Sequence, residues 1–516
     1  MTHMLSSPGC VDLLVDRHVR SGRSDALALI ERSGRHRRSL TYHQLQHATI
    51  VAAHELNIRL GGRRKPQRIA IIGSATLETT VYWLAAMRAQ HLVFLVHPDL
   101  PVNQYEMLWQ DFDPDLVLGD QTFDKMPVEA LTAAQDLLET ECENRPSHPV
   151  GAMEARFDLR PALALATSGS TGRAKLCVHP HRSFWEFERT VARRMWQIGP
   201  EDRVLATTGP FFSFGLQGIH VPLSVGATAV LLPRWKDHTD FLEVMEDESV
   251  SVFLAVPTLY HLLLSKAERE YRLESLRLSM SAGERLPAGI RKRWQDWTGS
   301  LVLDSIGTTE TFAPYLSETP DSGAGLLPVE GFVYHEADPL GQAEGGEAET
   351  IMLGLSGGCM MLGYLKPGEG GTIDPVASVF WTNDLFIRRG QAHFYVSRDS
   401  DRIKVAGYWV SPQELEEFLL QDPRVLKAAA LPIQTDAGLY RLRAYVVSSC
   451  SGYAGEALVR ELMVQAQRQL WPKALRPDHI ELVADIATTP SGKLKRQDLR
   501  SLVTSPSSTA GAVLLR

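Results

Sequence analysis

A short segment in the first half of the chain has the residue types of a phosphate-binding loop. Residues 163–166 form an apolar run typical of a buried strand, and residues 167–175 then supply two glycines, four hydroxyl side chains and Lys175. Glycines let successive backbone N–H groups turn toward one anion, hydroxyls add donors, and the lysine adds a mobile positive charge. A Ser/Gly-rich surface turn is the alternative. The segment is not a Walker loop, because Ala174 rather than glycine precedes the lysine.

The elements that must position this loop follow from alternating strand-like and helix-like segments. Residues 68–96 read as strand, helix and strand, and further strand-like runs lie at 203–207, 227–232, 252–256, 276–281 and 301–304. This alternation predicts an α/β fold whose large N-terminal domain has mixed, largely parallel sheets covered by helices. After residue 400, Ser411, Pro412 and Glu414 predict a helix start within a small α+β C-terminal domain. We expect ligands at the carboxyl ends of the parallel strands.

Composition excludes several classes of partner. The 516 residues are 44% hydrophobic, enough for a large core and at least two domains, and the net charge of -8 gives no overall attraction to nucleic acid or an anionic membrane. The five cysteines lie far apart, which predicts free thiols in a reducing compartment. With no signal-peptide pattern and no apolar run of membrane-spanning length, we expect a cytoplasmic protein without nucleic-acid or membrane partners.

Six short motifs occur in series: TSGSTGRAK at 167–175, SAGERLP at 281–287, DSIGTTE at 304–310, WTND at 381–384, the segment 397–416, and TPSGKL at 489–494. In this order they resemble the phosphate loop, the two adenine-side motifs, the ribose motif, the hinge motif and the lysine motif of the adenylate-forming enzymes. This superfamily contains acyl- and aryl-CoA ligases, peptide-synthetase adenylation domains and luciferases. Residues 209–232 and 282–294 are most similar to benzoate-type CoA ligases. One such match would carry little weight, whereas six in series are specific.

The resemblance implies a domain organisation and a reaction. We expect an N-terminal AMP-binding domain at 1–397, a hinge at 398–401, a small mobile C-terminal lid domain at 402–503 and a disordered tail at 504–516. The implied enzyme uses ATP and Mg²⁺ to adenylate a small carboxylic acid, with release of pyrophosphate. It then transfers the acyl group to CoA after the lid domain rotates. The oligomeric state stays open, a homodimer included.

The resemblance also assigns roles to individual residues. Lys493 would bridge the carboxylate and the α-phosphate, Thr309 would contact the α-phosphate, and Glu310 would bind Mg²⁺. Asp384 would accept from the ribose hydroxyls with the help of Arg398. A solvated lysine, a cap acid and a turn residue are the ordinary alternatives for Lys493, Glu310 and Asp384. The residues implied in ATP binding are Thr167, Ser168, Gly169, Ser170, Thr171, Gly172, Lys175, Gly283, Glu284, Arg285, Asp304, Ser305, Ile306, Gly307, Thr308, Asp384, Arg398 and Lys404.

A neutral aromatic pocket is expected for the acid. Family members that activate α-amino acids carry an Asp in the region that corresponds to residues 211–214, and this chain has none there. An unpaired ammonium buried beside phenylalanine would be costly, so the pattern favours an aromatic or aryl-alkenoic acid. The candidate pocket residues are Phe187, Phe211, Phe214, Gly215 and Ala313. Filling of the core is the alternative for any single ring.

Departures from the family pattern leave other functions open. Ser400 stands where the hinge motif has its pivot Asp, and Asp401 is the candidate to replace it. A changed hinge casts doubt on an ordinary thiol step. The alternatives are transfer to a carrier-protein phosphopantetheine, activation of nitrite for attack by an arylamine, and a non-enzymatic nucleotide-binding regulator. His179 and His181 follow the loop, and we expect structural hydrogen bonds from them.

Overall fold

The alternation of strands and helices builds three sheets before residue 400 and two small sheets after it. The computed structural model describes residues 9–63, 65–100, 102–119, 128–141, 158–167, 174–267, 269–322, 325–338, 350–399, 402–405, 408–434, 440–450 and 452–487. In these parts of the chain, no helix is long and apolar enough to cross a membrane.

The largest sheet contains nine strands: β1 Leu27–Ser33, β2 His36–Thr41, β8 Arg203–Ala206, β9 Thr228–Leu231, β10 Val252–Ala255, β11 Leu278–Ala282, β12 Leu301–Gly307, β13 Pro314–Ser317 and β14 Leu327–Pro328. Their order across the sheet is β14-β13-β12-β11-β10-β8-β9-β1-β2. The neighbours from β12 to β1 run parallel, and the outer strands pair antiparallel. The carboxyl ends of β8, β10, β11 and β12 therefore meet at one edge.

The second sheet contains seven strands: β3 Arg68–Ile72, β4 Leu92–Val96, β5 Leu116–Gly119, β6 Pro161–Ala166, β7 Leu176–Pro180, β17 Gly363–Leu365 and β18 Ile373–Pro375. Its order is β18-β17-β7-β6-β4-β3-β5. Strands β5, β3, β4 and β6 are parallel, whereas β6 turns back antiparallel into β7, and β7 pairs antiparallel with β17. The predicted phosphate loop is the segment that connects β6 to β7.

Antiparallel strands complete the fold. A four-stranded sheet has the order β15-β16-β19-β20, with β15 Phe332–Ala337, β16 Thr350–Gly357, β19 Phe380–Arg389 and β20 Ala392–Arg398. The segment beyond residue 400 forms a hairpin and a three-stranded sheet: β21 Ile403–Val405, β22 Tyr408–Val410, β23 Val425–Gln434, β24 Tyr440–Ser448 and β25 Pro477–Leu482. This second unit has its own apolar core, which includes Leu415, Leu442 and Leu458.

Helices cover the faces of the main sheets. They are α1 Arg17–Arg20, α2 Tyr42–Arg59, α3 Leu77–Arg88, α4 Val102–Phe112, α5 Ala134–Glu139, α6 Arg182–Phe187, α7 Ser213–Val225, α8 Asp240–Asp247, α9 Pro257–Lys266, α10 Ala288–Thr298, α11 Pro412–Leu419 and α12 Gly452–Gln469. The largest core cluster contains Leu163 of the seven-stranded sheet, Met280 of the nine-stranded sheet and Trp83 of α3. Burial of this shared surface holds the two sheets together.

Local sequence signals set several helix starts. Thr41 accepts from the Gln44 backbone N–H, and the Gln44 side chain accepts from the Thr41 N–H, so a capping box begins α2. At α11, the Ser411 N–H donates to the Glu414 side chain at 3.3 Å, with Pro412 in the first turn, whereas Ser411 Oγ has no hydrogen-bond partner among the described residues. This is the helix start that the sequence predicts, and the prediction is confirmed. The predicted α/β fold, with a large sheet-rich N-terminal domain and a smaller C-terminal one, is also confirmed.

Five buried histidines make the large unit sensitive to acid. Burial lowers the pKa of His18, His91, His179 and His181 to about 4 and that of His220 to about 3. An unfolded histidine takes up a proton near pH 6.5, which these buried rings do not. Their contribution to stability is therefore complete above about pH 6.5 and is lost as the pH falls toward their folded-state pKa.

We expect His220→Leu to reduce this acid sensitivity. Among the described residues, neither ring nitrogen of His220 has a hydrogen-bond partner, so the substitution sacrifices only packing. Between pH 7.5 and 5.5, the free energy of unfolding should shift by about 1.4 kcal/mol in favour of the variant, because an unfolded histidine with a pKa near 6.5 is on average half protonated across this interval. Urea denaturation of both proteins at the two pH values measures the shift. Equal pH dependence would mean that His220 does not contribute.

Candidate active site

The predicted site residues meet where strand ends from all three large sheets face one another. A cavity of about 440 Å³, here called the central cavity, is lined by Thr167 after β6, Thr308, Thr309 and Glu310 after β12, and Thr382 of β19. A neighbouring cavity of about 290 Å³, here called the adenine-side cavity, extends to the C-terminal unit. The two cavities share four lining residues: Gly283, Ser305, Gly307 and Arg398.

The neck of the predicted phosphate loop is held by Thr167 and Lys175. The Thr167 N–H donates to the Lys175 carbonyl at 2.8 Å, and the Lys175 N–H donates to Thr167 Oγ1 at 3.4 Å. Lys175 Nζ lies 4.9 Å from the centroid of the Tyr364 ring, within cation–π range. The lysine charge is thereby placed at the cavity wall. The loop positions in between lie outside the described residues: Ser168, Gly169, Ser170, Thr171 and Gly172.

The short turn Thr309–Thr311 after β12 is fixed by hydrogen bonds from the seven-stranded sheet. His179 Nε2, neutral because burial lowers its pKa to about 4, donates to the Thr309 carbonyl at 2.8 Å. The Met361 N–H donates to the Glu310 carbonyl at 2.9 Å, and the Tyr364 hydroxyl donates to Glu310 Oε1 at 2.7 Å. His179 therefore has the structural role that the sequence predicts, and it orients a backbone carbonyl at the site.

Asp384 on β19 is held by several hydrogen bonds. The Tyr315 hydroxyl donates to its Oδ2 at 2.7 Å, Arg398 Nε donates to its Oδ1 at 3.2 Å, and the Asp384 N–H donates to Thr382 Oγ1 at 3.2 Å. Hydrogen bonds to a buried carboxylate are stronger than neutral ones. They fix the orientation of Asp384, which is only 2% exposed. Asp384 and Arg398 both line the adenine-side cavity.

The adenine-side cavity lies between the two units of the chain. Gly283 takes a left-handed turn after β11, with φ of 88°, where a side chain would be strained. Glu284 accepts from the Thr258 hydroxyl at 2.8 Å, and Arg285 pairs with Glu417 of α11 at 3.2 Å. Burial, and then the charge of Glu318, raises the pKa of Asp304 to about 7. Near neutral pH, Asp304 can therefore offer either a donor or an acceptor.

Other predicted adenine-side residues follow β12. The hydroxyl of Ser305 bonds that of Ser317 on β13 at 2.8 Å, and Ile306 is half-buried against the main core. A Cβ on Gly307 would lie 3.0 Å from the Cα of Pro314, so a larger residue would be crowded. The Thr308 N–H donates to Thr311 Oγ1 at 3.1 Å. The motif thus occupies one strand end rather than scattered positions.

The structure separates the five residues predicted for the acyl pocket. Phe214 and Ala313 line the central cavity. Phe187 does not line it and instead packs in the core, 4.8 Å from the ring of His220. Phe211 also lies outside the lining and packs against His97 at 4.2 Å, and Gly215 lies against the carbonyls of the preceding loop, which a Cβ would strike. Sequence periodicity could not distinguish these roles, because Phe211 and Phe214 lie close together in sequence but face different neighbours.

The sequence analysis did not identify three candidate functional residues. Tyr315 holds Asp384, Tyr364 contacts Glu310 and Lys175, and Gln217 of α7 lines the central cavity. Each acts on a residue far away in sequence, so no spacing pattern marks it. The predicted residues Lys493, Ser400 and Asp401 lie outside the described residues. Lys404 lies on β21, and its side chain is likewise outside the description.

Comparison with known proteins identifies the class. A family model described as AMP-binding enzyme matches residues 15–365, and the chain belongs to this family. It is 29% identical to a 4-hydroxybenzoate–CoA/benzoate–CoA ligase of Rhodopseudomonas palustris, over 95% of this chain and 93% of that protein. It is also 29% identical to a benzoate–CoA ligase of Thauera aromatica, over 95% of each chain. The predicted membership of the adenylate-forming superfamily, with benzoate-type CoA ligases as its relatives, is confirmed.

A solved structure supports the fold independently. An anthranilate CoA ligase in complex with anthranoyl-AMP superposes with a TM-score of 0.84 at 24% identity, over 96% of this chain and 97% of that one. At this identity the likeness establishes the shared fold alone. The order of sheets and the small C-terminal unit are thus those of a known enzyme architecture.

We expect Tyr315→Phe to weaken AMP binding, because Asp384 loses the hydroxyl donor that orients it. The dissociation constant measured by isothermal titration calorimetry should rise by about three- to tenfold, or about 0.7–1.4 kcal/mol. Tyr334→Phe is the matched control: this tyrosine donates to the backbone carbonyls of Tyr315 and Val329 rather than to Asp384. Equal effects of the two substitutions would contradict a specific role for Tyr315.

Proposed function

We propose that the protein is an AMP-forming ligase that adenylates an aromatic or aryl-alkenoic carboxylic acid with ATP and transfers the acyl group to CoA. One observation carries the proposal. The lining of the central cavity combines the polar residues Lys175, Thr309 and Glu310 with aromatic rings that include Phe212 and Phe214. The names of the relatives from R. palustris and T. aromatica, which specify benzoate or 4-hydroxybenzoate, support an aromatic acid.

The proposed reaction explains why these residue types are combined. The carboxylate and the α-phosphate are both anions, so their approach needs nearby positive charge and aligned donors. Thr167 and Lys175 would bind the β- and γ-phosphates, and the Thr309 hydroxyl would contact the α-phosphate. Lys493, assigned by its motif, would bridge the two reacting groups. The carboxylate oxygen then forms a bond to the α-phosphorus as pyrophosphate leaves.

The residues of the cavity suit Mg²⁺ bound together with ATP. Within the described parts of the chain, no group of three or more His, Cys, Asp or Glu side chains could hold a metal alone. A single carboxylate is sufficient when phosphate oxygens and water complete the coordination, as is usual for Mg²⁺. Glu310 would supply that carboxylate, oriented by the Tyr364 hydroxyl at 2.7 Å. The bound ion would neutralise phosphate charge as the negative charge redistributes.

Nucleotide recognition would use the remaining contacts. Asp384 would accept from the ribose hydroxyls with help from Arg398, and residues of the two adenine-side motifs, Gly283 and Ile306 among them, would contact the base. The Arg285–Glu417 ion pair joins the adenine-side motif to the C-terminal unit. Movement of this unit would bring in the thiol of CoA, which displaces AMP. The described cysteines are free thiols, as expected for an enzyme that acts in a reducing compartment.

Pyrophosphate release with Mg-ATP tests the function directly. Benzoates and cinnamates are assayed with and without CoA, and nitrite with an arylamine is assayed separately. Acid-dependent release that yields a CoA thioester supports the proposal. Acid-dependent release without thioester would redirect the second step to a carrier-protein phosphopantetheine. Release only with nitrite and arylamine, or no release at all, would overturn the proposed acid activation.

We expect Lys493→Ala to abolish adenylation while leaving nucleotide binding in place, because the lysine charge is needed only where two anions meet. The rate of acid-dependent ATP–pyrophosphate exchange should fall by about a hundredfold or more, as when one transition-state donor is removed. The AMP dissociation constant should change by less than about twofold. Lys473→Ala, an exposed lysine in the same unit, is the control and should keep its exchange rate. Unchanged exchange in Lys493→Ala would remove that residue from the mechanism.

A further inference from the structure

The lining of the central cavity contains a polar side chain that the proposed chemistry does not use. Gln217 on the second turn of α7 lines the cavity and is only 5% exposed. Its Oε1 is buried and has no hydrogen-bond partner among the described residues. The same lining includes the apolar residues Phe214, Val256 and Ala313. A buried amide oxygen without a donor is costly, so this position invites a donor from a bound molecule.

The orientation of the Gln217 amide follows from its other contact. The carbonyl of Phe312 accepts from Gln217 Nε2 at 3.5 Å and from the Ser213 hydroxyl at 3.1 Å. A carbonyl oxygen cannot bond another carbonyl oxygen, so the amide nitrogen must face Phe312. The free atom of Gln217 is therefore an acceptor. Phe312 has a positive φ of 59°, rare for a bulky residue, which marks this turn as a specialised backbone position.

A second unpaired polar atom belongs to the same cavity. Thr208, in the loop between β8 and α7, lines the central cavity, and its buried Oγ1 also has no partner in the described chain. This loop lies against α7, because Gly215 packs on the backbone carbonyl of Thr208 and Gly218 packs on Ala206. A hydroxyl can donate and accept, whereas Gln217 Oε1 only accepts. Together they present one acceptor and one donor-acceptor.

We infer that the acid activated by this enzyme carries a hydroxyl or amino group on its aromatic ring, and that Gln217 is the residue that selects for it. A ring hydroxyl would donate to Gln217 Oε1 and accept from Thr208, and a ring amine would donate to both. An unsubstituted or methyl-substituted ring would leave the buried oxygen unpaired. The inference rests on the proposed function, since it concerns the acid that the same cavity activates.

The test compares hydroxy-, amino- and methylbenzoates at each of the three ring positions, with benzoate itself, in ATP–pyrophosphate exchange. Methyl and hydroxyl groups are similar in size, so their comparison isolates hydrogen bonding. At one or more ring positions, the hydroxy or amino acid should exceed its methyl analogue in kcat/KM by about tenfold or more. Ratios near one at all three positions would overturn the inference while leaving aromatic-acid activation intact. No exchange with any acid would overturn the proposed function and the inference with it.

Variants then assign the selectivity to its residue. In Gln217→Leu, the kcat/KM of the hydroxy- or aminobenzoate divided by that of its methyl analogue should fall to within about twofold of one. Ser213→Ala is the matched control: it removes another donor to the Phe312 carbonyl but leaves the Gln217 oxygen, so the ratio should persist. AMP binding verifies that each variant is folded. If Gln217→Leu does not fold, Thr208→Val replaces it, and this variant should also lower the kcat/KM ratio. An unchanged kcat/KM ratio in Gln217→Leu would overturn the assignment. If Thr208→Val has replaced that variant, an unchanged ratio in Thr208→Val would do the same.

Discussion

The site depends on hydrogen bonds that cross from one sheet to another at the turn after β12. His179 of β7 holds the Thr309 carbonyl, and Tyr364 of β17 holds the Glu310 carboxylate. Both donors belong to the seven-stranded sheet, whereas Thr309 and Glu310 extend from the nine-stranded one. Because the shared apolar core fixes the two sheets against each other, these hydrogen bonds hold the polar groups in place without a substrate. Such preorganisation is what electrostatic catalysis requires.

Charged side chains line both of the connected cavities. Lys175 is placed at the central cavity beside the Tyr364 ring, and the acids Asp304 and Glu417 face the adenine-side cavity. Burial raises the pKa of both acids to about 7, which reduces their negative charge near neutral pH. The two acids therefore repel an approaching anion less than fully ionised carboxylates would.

The acyl site that we propose in the central cavity shows how a shared fold can serve different acids. Its aromatic and aliphatic residues supply general affinity for an apolar ring, but apolar contacts distinguish similar rings weakly. A buried acceptor such as Gln217 Oε1 discriminates more strongly, because the wrong acid leaves it without a partner. Selectivity in this chain would thus come from one polar position within an apolar wall. The rest of the reaction machinery would remain that of the family.

The sequence alone determined the fold class, the AMP-binding family and the approximate location of the nucleotide motifs, because periodicity and short motifs are local properties. It could not identify Tyr315, Tyr364 or Gln217, whose roles come from partners distant in the chain. It also grouped Phe187 and Phe211 with Phe214, although only Phe214 lines the central cavity. Only the tertiary structure decided these cases, since whether a side chain fills the core or faces a ligand depends on how separate elements pack, and no local pattern records that packing.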